Sequence, residues 1–386
     1  MVLKIELSEE QLQIKSAARE FCEKEFKPEI ALELERREEY PLEIYRKAAE
    51  LGLTCVSFPR EYGGMGYGFL ETCLVVEEMC KADSTLGAAI STGNYGSDLI
   101  LMYGTEDQKE RYLKPVCRGD YISAAAFTEP GLGGSDITRI ETKATKQGDE
   151  WKLNGAKSFI LNAPIADFIV VLAQTDPDIT PPYRGETLFI VDRDASGLSV
   201  IKQTGKMGIR CCITGEVQLE DVHVPGWNIV GELNRGFYHA MGFLDKYRAF
   251  VAAQAVGMAQ GAWEIAFKHA KNMHVNGQPL LQHQAIGCPL AEMAAKIEAA
   301  RLLTYRAAWL IDAGKMDPMQ TAMAKLYASR VAVEVTDFAI QVLGARGYFG
   351  QNRVERYHRD AKVTEIYEGT SEIQRLTVLK YLMKLF

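Results

Sequence analysis

The stretch Ile140-Glu-Thr-Lys-Ala-Thr-Lys-Gln-Gly-Asp-Glu-Trp-Lys-Leu153 reads as two short strands about the turn Gln147-Gly148-Asp149. The residues around it continue that texture. From 124 to 235 the chain runs in short alternating or apolar pieces, at 166–173, 187–191, 198–201 and 216–219, separated by Gly, Asp, Asn and Pro. Asn154-Gly155 reads as a further hairpin turn.

On either side the period changes to that of helices. Upstream, Ser8 is spaced as a capping box with Gln11, and Leu12, Ile14, Ala18, Phe21 and Cys22 recur at helical spacing. Pro28 and Pro41 punctuate this part, Gly63-Gly64-Met65-Gly66 marks a turn, and further helical patterns cover 70–82 and 105–116. After Gly236, stripes rich in Ala, Met and Leu cover 245–272, 282–313 and 317–344. A last helix is expected after Gly369, with Ser371 and Gln374 spaced as a capping box and Ile373, Leu376, Leu379, Leu382 and Met383 on one apolar face. Helical, then β, then helical predicts an α+β fold rather than a doubly wound α/β one, with domains at 1–123, 124–235 and 236–386.

Composition narrows the function. The 386 residues are 47% hydrophobic and 25% charged, which excludes a largely disordered chain. A net charge of -7 without a Lys/Arg run argues against nucleic acid as a partner. The opening ten residues have no basic stretch followed by an apolar core, so no secretory signal is read. Apolar runs such as 168–173 are too short to span a bilayer. The eight cysteines show no CxxC spacing, the vicinal Cys211-Cys212 pair is poorly placed to bridge, and no His/Cys cluster suggests a metal. Reduced, mostly buried thiols in a cytoplasmic protein are the expectation.

Two segments could carry chemistry. Phe127-Thr-Glu-Pro-Gly-Leu-Gly-Gly-Ser-Asp136 is an ordinary Gly-rich connection or a loop that brings backbone N–H groups against a phosphate or a flat polar ring. It is not a dinucleotide fingerprint of the βαβ type, because no such unit follows. In Asp360-Ala-Lys-Val-Thr-Glu-Ile-Tyr-Glu-Gly-Thr-Ser-Glu-Ile-Gln-Arg375, Glu368 follows the apolar-aromatic pair Ile366-Tyr367 and precedes a glycine at a helix start. It is either a surface or capping glutamate, or a partly desolvated carboxylate with a pKa raised into the range of a general base.

Taken together the chain resembles the acyl-CoA dehydrogenase family along nearly its whole length. The resemblance is carried by Pro59-Arg-Glu-Tyr-Gly-Gly-Met-Gly66, Tyr103-Gly-Thr-Glu-Asp-Gln-Lys-Glu-Arg-Tyr112, the 127–136 loop, Leu153-Asn-Gly-Ala-Lys157, Gly205-Lys-Met-Gly-Ile-Arg210, Leu219-Glu-Asp-Val-His-Val-Pro225, Gln341-Val-Leu-Gly-Ala-Arg-Gly347 and 366–375. It implies an N-terminal helical domain, a middle β-barrel-like domain, a C-terminal four-helix bundle, FAD as cofactor, an acyl-CoA substrate, electron-transferring flavoprotein as partner and a homotetramer. Glu368 matches the family's base, which takes the proton beside the thioester carbonyl as a hydride leaves the β-carbon for the flavin.

By the same resemblance Phe127, Thr128, Gly134, Ser135, Phe159 and Thr370 face the flavin, and Gln341 and Gly344 reach its adenine side from a neighbouring subunit. Ser135, Asp245 and Arg248 match positions that hold the CoA arm, and Thr92, Tyr247, Tyr367 and Gly369 are read as substrate-facing. By helical periodicity alone, Asp245 and Arg248 could be a local surface ion pair, so their role rests on the resemblance. This chain also departs from the pattern. Leu161 stands where a hydroxyl usually meets the flavin, Met273 replaces an arginine that contacts the FAD pyrophosphate, and Asn276 replaces a phenylalanine. Arg346 is a candidate to supply the missing cation. Leu86 stands where an arginine would mark a dicarboxylic substrate, and a medium, branched or cyclic acyl group is expected instead. A lyase or decarboxylase on the same scaffold, with weakened or absent FAD binding, is the alternative.

Overall fold

The computed structural model describes residues 6–385; residues 1–5, part of the stretch in which no signal is read, lie outside them. Seven helices come first among the described residues: α1 (Glu9–Glu25), α2 (Pro28–Arg37), α3 (Leu42–Glu50), α4 (Phe69–Ala82), α5 (Ser84–Ser91), α6 (Ser97–Tyr103) and α7 (Glu106–Cys117). Their starts follow from local chemistry. The Ser8 and Thr105 side chains each accept the N–H three residues on while Gln11 and Gln108 reach back, and Pro28 sits in the first turn of α2, where no N–H is missed.

The strands are β1 (Ser123–Ala126), β2 (Lys143–Gln147), β3 (Glu150–Leu161), β4 (Phe168–Gln174), β5 (Glu186–Asp192), β6 (Leu198–Gln203), β7 (Thr214–Pro225) and β8 (Ile229–Val230). They form one sheet in the order β6-β7-β3-β2-β4-β5-β8, with β1 parallel to β4. The hairpin at Gln147-Gly148-Asp149 forms, with Gln147 opposite Glu150. The turn expected at Asn154-Gly155 does not. β3 runs through it as one strand of 12 residues, with a register shift between Leu153 and Gly155. Gly155 has φ 152°, and a Cβ there would lie 2.7 Å from the Thr142 Cα, so the glycine marks a bulge at a close backbone approach and not a reversal.

β4 explains why its sequence is apolar without alternation. Phe168, Val170 and Leu172 join the core shared with the helices, whereas Ile169, Val171 and Ala173 join a second core with Trp151, Leu153, Val217 and Leu219. A strand covered on both faces has no solvent side to be polar on.

The chain then returns to helices: α8 (Gly236–Asn272), a small hairpin of β9 (His274–Val275) and β10 (Gln278–Pro279), α9 (Gln284–Asp312), α10 (Pro318–Leu343), α11 (Ala345–Tyr348), α12 (Val354–Ala361) and α13 (Ser371–Leu385). α10 packs against α8, α9 and α13, and alanines such as Ala252, Ala259, Ala328 and Ala332 let α8 and α10 approach closely. Two carboxylates tie the parts together. Asp312 at the end of α9 accepts the first N–H groups of α4, from Phe69 (2.6 Å) and Leu70 (2.9 Å). Buried Asp360 in α12 accepts Ser84 Oγ (2.6 Å) of α5 and the Ile209 N–H (2.5 Å) of the loop before β7. The apolar face of α13 is not covered by its own chain: Leu376, Leu379 and Met383 are exposed. Among the described residues no helix is long and apolar enough to cross a membrane, and all eight cysteines are free, with Cys288 exposed and the rest buried.

Candidate active site

Sheet and helices meet at a cavity of about 410 Å³. The loop after β1 contributes Phe127, Thr128, Gly134 and Ser135, and the end of β3 contributes Phe159 and Leu161. α8 contributes Phe237, Met241, Leu244 and Arg248, residues 366–370 enter from the approach to α13, and Tyr95 comes from the turn before α6.

Glu368 is presented by an unusual backbone. The N–H groups of Ile366 (2.8 Å) and Tyr367 (3.0 Å) both return to the Val363 carbonyl and end a helical turn. Glu368 and Gly369 then adopt φ of 54° and 88°, two successive left-handed residues. Such a backbone costs roughly 1–3 kcal/mol for a residue other than glycine and persists only where its surroundings over-determine it. Here they do. Gln374 Nε2 donates to the carbonyls of Glu368 (3.1 Å) and Gly369 (2.8 Å), and Lys325 Nζ donates to the Gly369 carbonyl (2.6 Å). The capping box expected of Ser371 and Gln374 is therefore replaced. Gln374 is turned onto the base segment, and the Thr370 hydroxyl accepts the Ile373 N–H (3.3 Å).

The carboxylate itself is half satisfied. Tyr95 Oη donates to Glu368 Oε1 at 2.6 Å, while Oε2 is buried without a partner. Burial pushes the Glu368 carboxyl above its ordinary range, and the Tyr95 hydrogen bond and the charges of Lys325 and Arg248 pull it back only in part. Tyr95 is held edge-on by Phe243 (5.2 Å between ring centroids) and Tyr247 (5.0 Å).

The Gly-rich loop is anchored at its root. Glu129 accepts the N–H groups of Glu141 (2.5 Å) and Thr142 (2.9 Å) and an ammonium hydrogen of Lys157 (2.8 Å), while Lys157 also reaches the Phe127 carbonyl (3.2 Å). Burial would raise the Glu129 carboxyl, but these donors hold it below its ordinary value. At the cavity rim Phe159 has φ 59° and is 71% exposed, a large aromatic face held out in a left-handed conformation.

Apart from Arg248, which lines the cavity, the remaining expected site residues lie elsewhere in this chain. The Thr92 hydroxyl turns back onto the Ala88 carbonyl (2.7 Å), because a buried hydroxyl near a helix end finds its own helix first, so it is not a cavity residue. Tyr247 sits behind Tyr95 and donates to Asp98 (2.9 Å). Asp245 pairs with Arg248, which is buried rather than on the surface, and the Arg248 Nε has no partner. Gln341, Gly344 and Arg346 lie at the end of α10 and in α11, outside the cavity. Met273 is exposed at the end of α8, and Asn276 lies in the hairpin that follows. The His269 imidazole, one turn before Met273, is lowered by burial and then by the nearby Arg346 charge. Among the described residues no group of three His, Cys, Asp or Glu side chains could hold a metal ion.

Sequence reading missed Tyr95 as partner of Glu368, and it missed Lys325. The signal for Lys325 was present: a lone lysine in Thr321-Ala-Met-Ala-Lys-Leu-Tyr-Ala-Ser329, on a helix face otherwise made of small and apolar residues.

Comparison with known proteins bears on this arrangement. The family models for the acyl-CoA dehydrogenase N-terminal, middle and C-terminal domains match residues 8–120, 124–222 and 234–383. The chain is 41% identical over 373 residues to a 3-(aryl)acrylate reductase of Clostridium sporogenes, covering 96% of this chain and 98% of that protein. It is 40% identical over 378 residues to subunit CarC of the caffeyl-CoA reductase-Etf complex of Acetobacterium woodii, covering 98% and 99%. Among solved structures, butyryl-CoA dehydrogenase from Megasphaera elsdenii superposes with a TM-score of 0.94 at 37% identity, over 99% of this chain and 100% of that one.

Proposed function

The chain belongs to the acyl-CoA dehydrogenase family, and from that premise we propose that Glu368 is the base of an FAD-dependent α,β-dehydrogenation of an acyl-CoA thioester. The observation that carries this is the half-satisfied carboxylate at the cavity, one oxygen fixed by Tyr95 and the other buried without a partner. A buried oxygen with no donor is poised to accept a proton. The N–H of Glu368 donates to no group among the described residues, which leaves it for the thioester oxygen, where charge develops as the α-proton leaves.

The residues present suit a flat cofactor. Phe159 offers an exposed ring at the rim, Leu161 lines the same wall, and a Cβ on Gly134 would come within 3.1 Å of Thr128 Oγ1, closing the approach to the loop. Phe127, Thr128, Gly134, Ser135, Phe159, Leu161 and Thr370 would hold FAD from this chain, and Gln341, Gly344 and Arg346 would hold it from a second copy. Bound FAD supplies the acceptor for the hydride that leaves the β-carbon. Arg346 would supply the cation for the pyrophosphate in place of the arginine lost at Met273. An R346M protein that binds FAD as tightly as wild type removes that assignment.

Arg248, Asp245 and Ser135 would hold the CoA arm, with Tyr367 and Gly369 against the thioester. Thr92 and Tyr247 would act indirectly, by backing the wall that Tyr95 presents. The bulk of that aromatic wall supports a medium, branched or cyclic acyl group. The relatives named as a 3-(aryl)acrylate reductase and as a subunit of a caffeyl-CoA reductase-Etf complex support the cyclic end of that range, and the second supports electron-transferring flavoprotein as acceptor. The uncovered face of α13 supports assembly with further copies as a tetramer. Domain limits at 123/124 and 235/236 belong to the same proposal.

The test is the visible spectrum of the purified protein, without oxygen, before and after stoichiometric acyl-CoA esters. A flavin spectrum that bleaches with a medium, branched or cyclic ester is expected. A colourless protein that takes up no added FAD would overturn the redox reading in favour of a lyase or decarboxylase using the same base.

A further inference from the structure

Lys325 lies on α10 and is completely buried, yet among the described residues it forms no ion pair. Its hydrogen bond is to the carbonyl of Gly369, at 2.6 Å. An ammonium in that position is costly, because a dry cation without a counter-ion in contact has lost most of its hydration. Burial pushes the Lys325 amine down to about 8, the Glu368 charge pulls it back up, Arg248 from α8 lowers it further, and Glu365 and Glu372 raise it. The neighbouring buried residues of α10, Thr321, Ala322, Ala324, Ala328 and Ser329, supply no counter-charge. A costly buried amine aimed at the segment that carries the base points to function.

We propose that Lys325 is a positioning residue for the base: its ammonium clamps the Gly369 carbonyl, fixes the left-handed Glu368–Gly369 pair, and places a positive charge behind Glu368. Two other contacts fit that role. Gln374 grips the same carbonyl and the one before it, so the peptide groups that follow the base are held from α10 and α13 together. The acyl side is held by Tyr95 on the carboxylate. Lys325 thus completes a three-sided frame in which its own charge depends on the ionisation of Glu368, and losing that charge at alkaline pH loosens the frame.

This inference rests on Glu368 being a base, and the experiment separates the two. The exchange of the α-protons of butyryl-CoA in D2O is followed against pD for wild type and K325M, together with thermal melting. Exchange reports proton removal alone, so it reads Glu368 whether or not hydride transfer follows. Wild type is expected to exchange and to lose rate above a limb near 8. K325M is expected to melt no lower than wild type, to exchange roughly tenfold more slowly, and to lack that limb. Absence of exchange in wild type would defeat the reading of Glu368. Exchange in K325M at the wild-type rate with the limb retained would defeat the Lys325 proposal alone, as would a slower rate with the limb intact and a lower melting temperature. If K325M does not fold, K325Q, which keeps a neutral donor toward the carbonyl, is expected to lose the limb in the same way.

Discussion

Glu129 and Glu368 are both carboxylates sequestered next to the same cavity, yet their surroundings treat them in opposite ways. Glu129 accepts two backbone N–H groups and the Lys157 ammonium, and its carboxyl is held down despite burial. Glu368 accepts one tyrosine hydroxyl, keeps one oxygen bare and is pushed up. Glu186, in the same sheet as Lys157, carries the second treatment further. It is fully buried, both its oxygens lack a partner, and burial pushes it up to about 8. The comparison teaches that burial alone does not mark a catalytic carboxylate. An acid with its acceptors saturated is held down, an acid buried without donors is pushed up, and the one left half satisfied against a cavity is placed to exchange a proton.

The contrast is broken most severely by removing the two charges that define it. E368Q preserves shape and hydrogen-bonding capacity but cannot take a proton. It is expected to bind ligand and to lose at least the roughly 10²–10⁴-fold of positioned base catalysis, read as the rate of flavin bleaching by a saturating acyl-CoA. K157M leaves Glu129 buried with its cation gone. The expected outcome is destabilisation of roughly 3–5 kcal/mol, measured by denaturant unfolding. A K157M protein as stable as wild type would mean that the two backbone donors suffice and that Glu129 is not an ion-pair site.

How much of this was legible in the sequence follows the same division. The order helical, β, helical could be read because each element carries its own period, and Ser8, Pro28 and the Gln147-Gly148-Asp149 turn act through local geometry. Glu368 stood out through its motif. Asn154-Gly155 misled because a bulge and a turn both ask for glycine, and only the position of Thr142 on the neighbouring segment distinguishes them. Gln374 misled for a related reason: its spacing fits a capping box, but unsatisfied carbonyls at Glu368 and Gly369 compete for the same amide. Tyr95, 273 residues before Glu368 in the chain, could not be seen as its partner without the fold.

Glu186 sharpens the comparison at an intermediate scale. Its folded pKa is raised from an ordinary 4.5 to about 8, so between those values the folded state holds a proton that the unfolded state has released. Its contribution is therefore fully present below about pH 4.5 and is lost as pH rises through about 8. The cost accumulates to roughly 3 kcal/mol by pH 7. E186Q, which cannot ionise, should flatten this part of the stability–pH curve. The check is denaturant unfolding at pH 5, 6, 7 and 8 for both proteins. Parallel curves would show that the Lys157 charge keeps Glu186 ionised and that the sheet buries a second anion.

Y95F is the finest cut, since it removes one oxygen atom and leaves the ring packed against Phe243 and Tyr247. The Tyr95 hydroxyl favours the charged form of Glu368, so without it the carboxyl moves further up and the acid limb of kcat/KM moves to higher pH. At a fixed pH below that limb, kcat/KM should fall roughly tenfold, the order expected for one hydrogen bond to a charged group. At high pH the loss should shrink, because a more basic carboxylate, once ionised, is the stronger proton acceptor. A uniform loss across pH would mean that Tyr95 aims the carboxylate without tuning it, and Glu368 would then owe its poise to burial and the flanking cations alone.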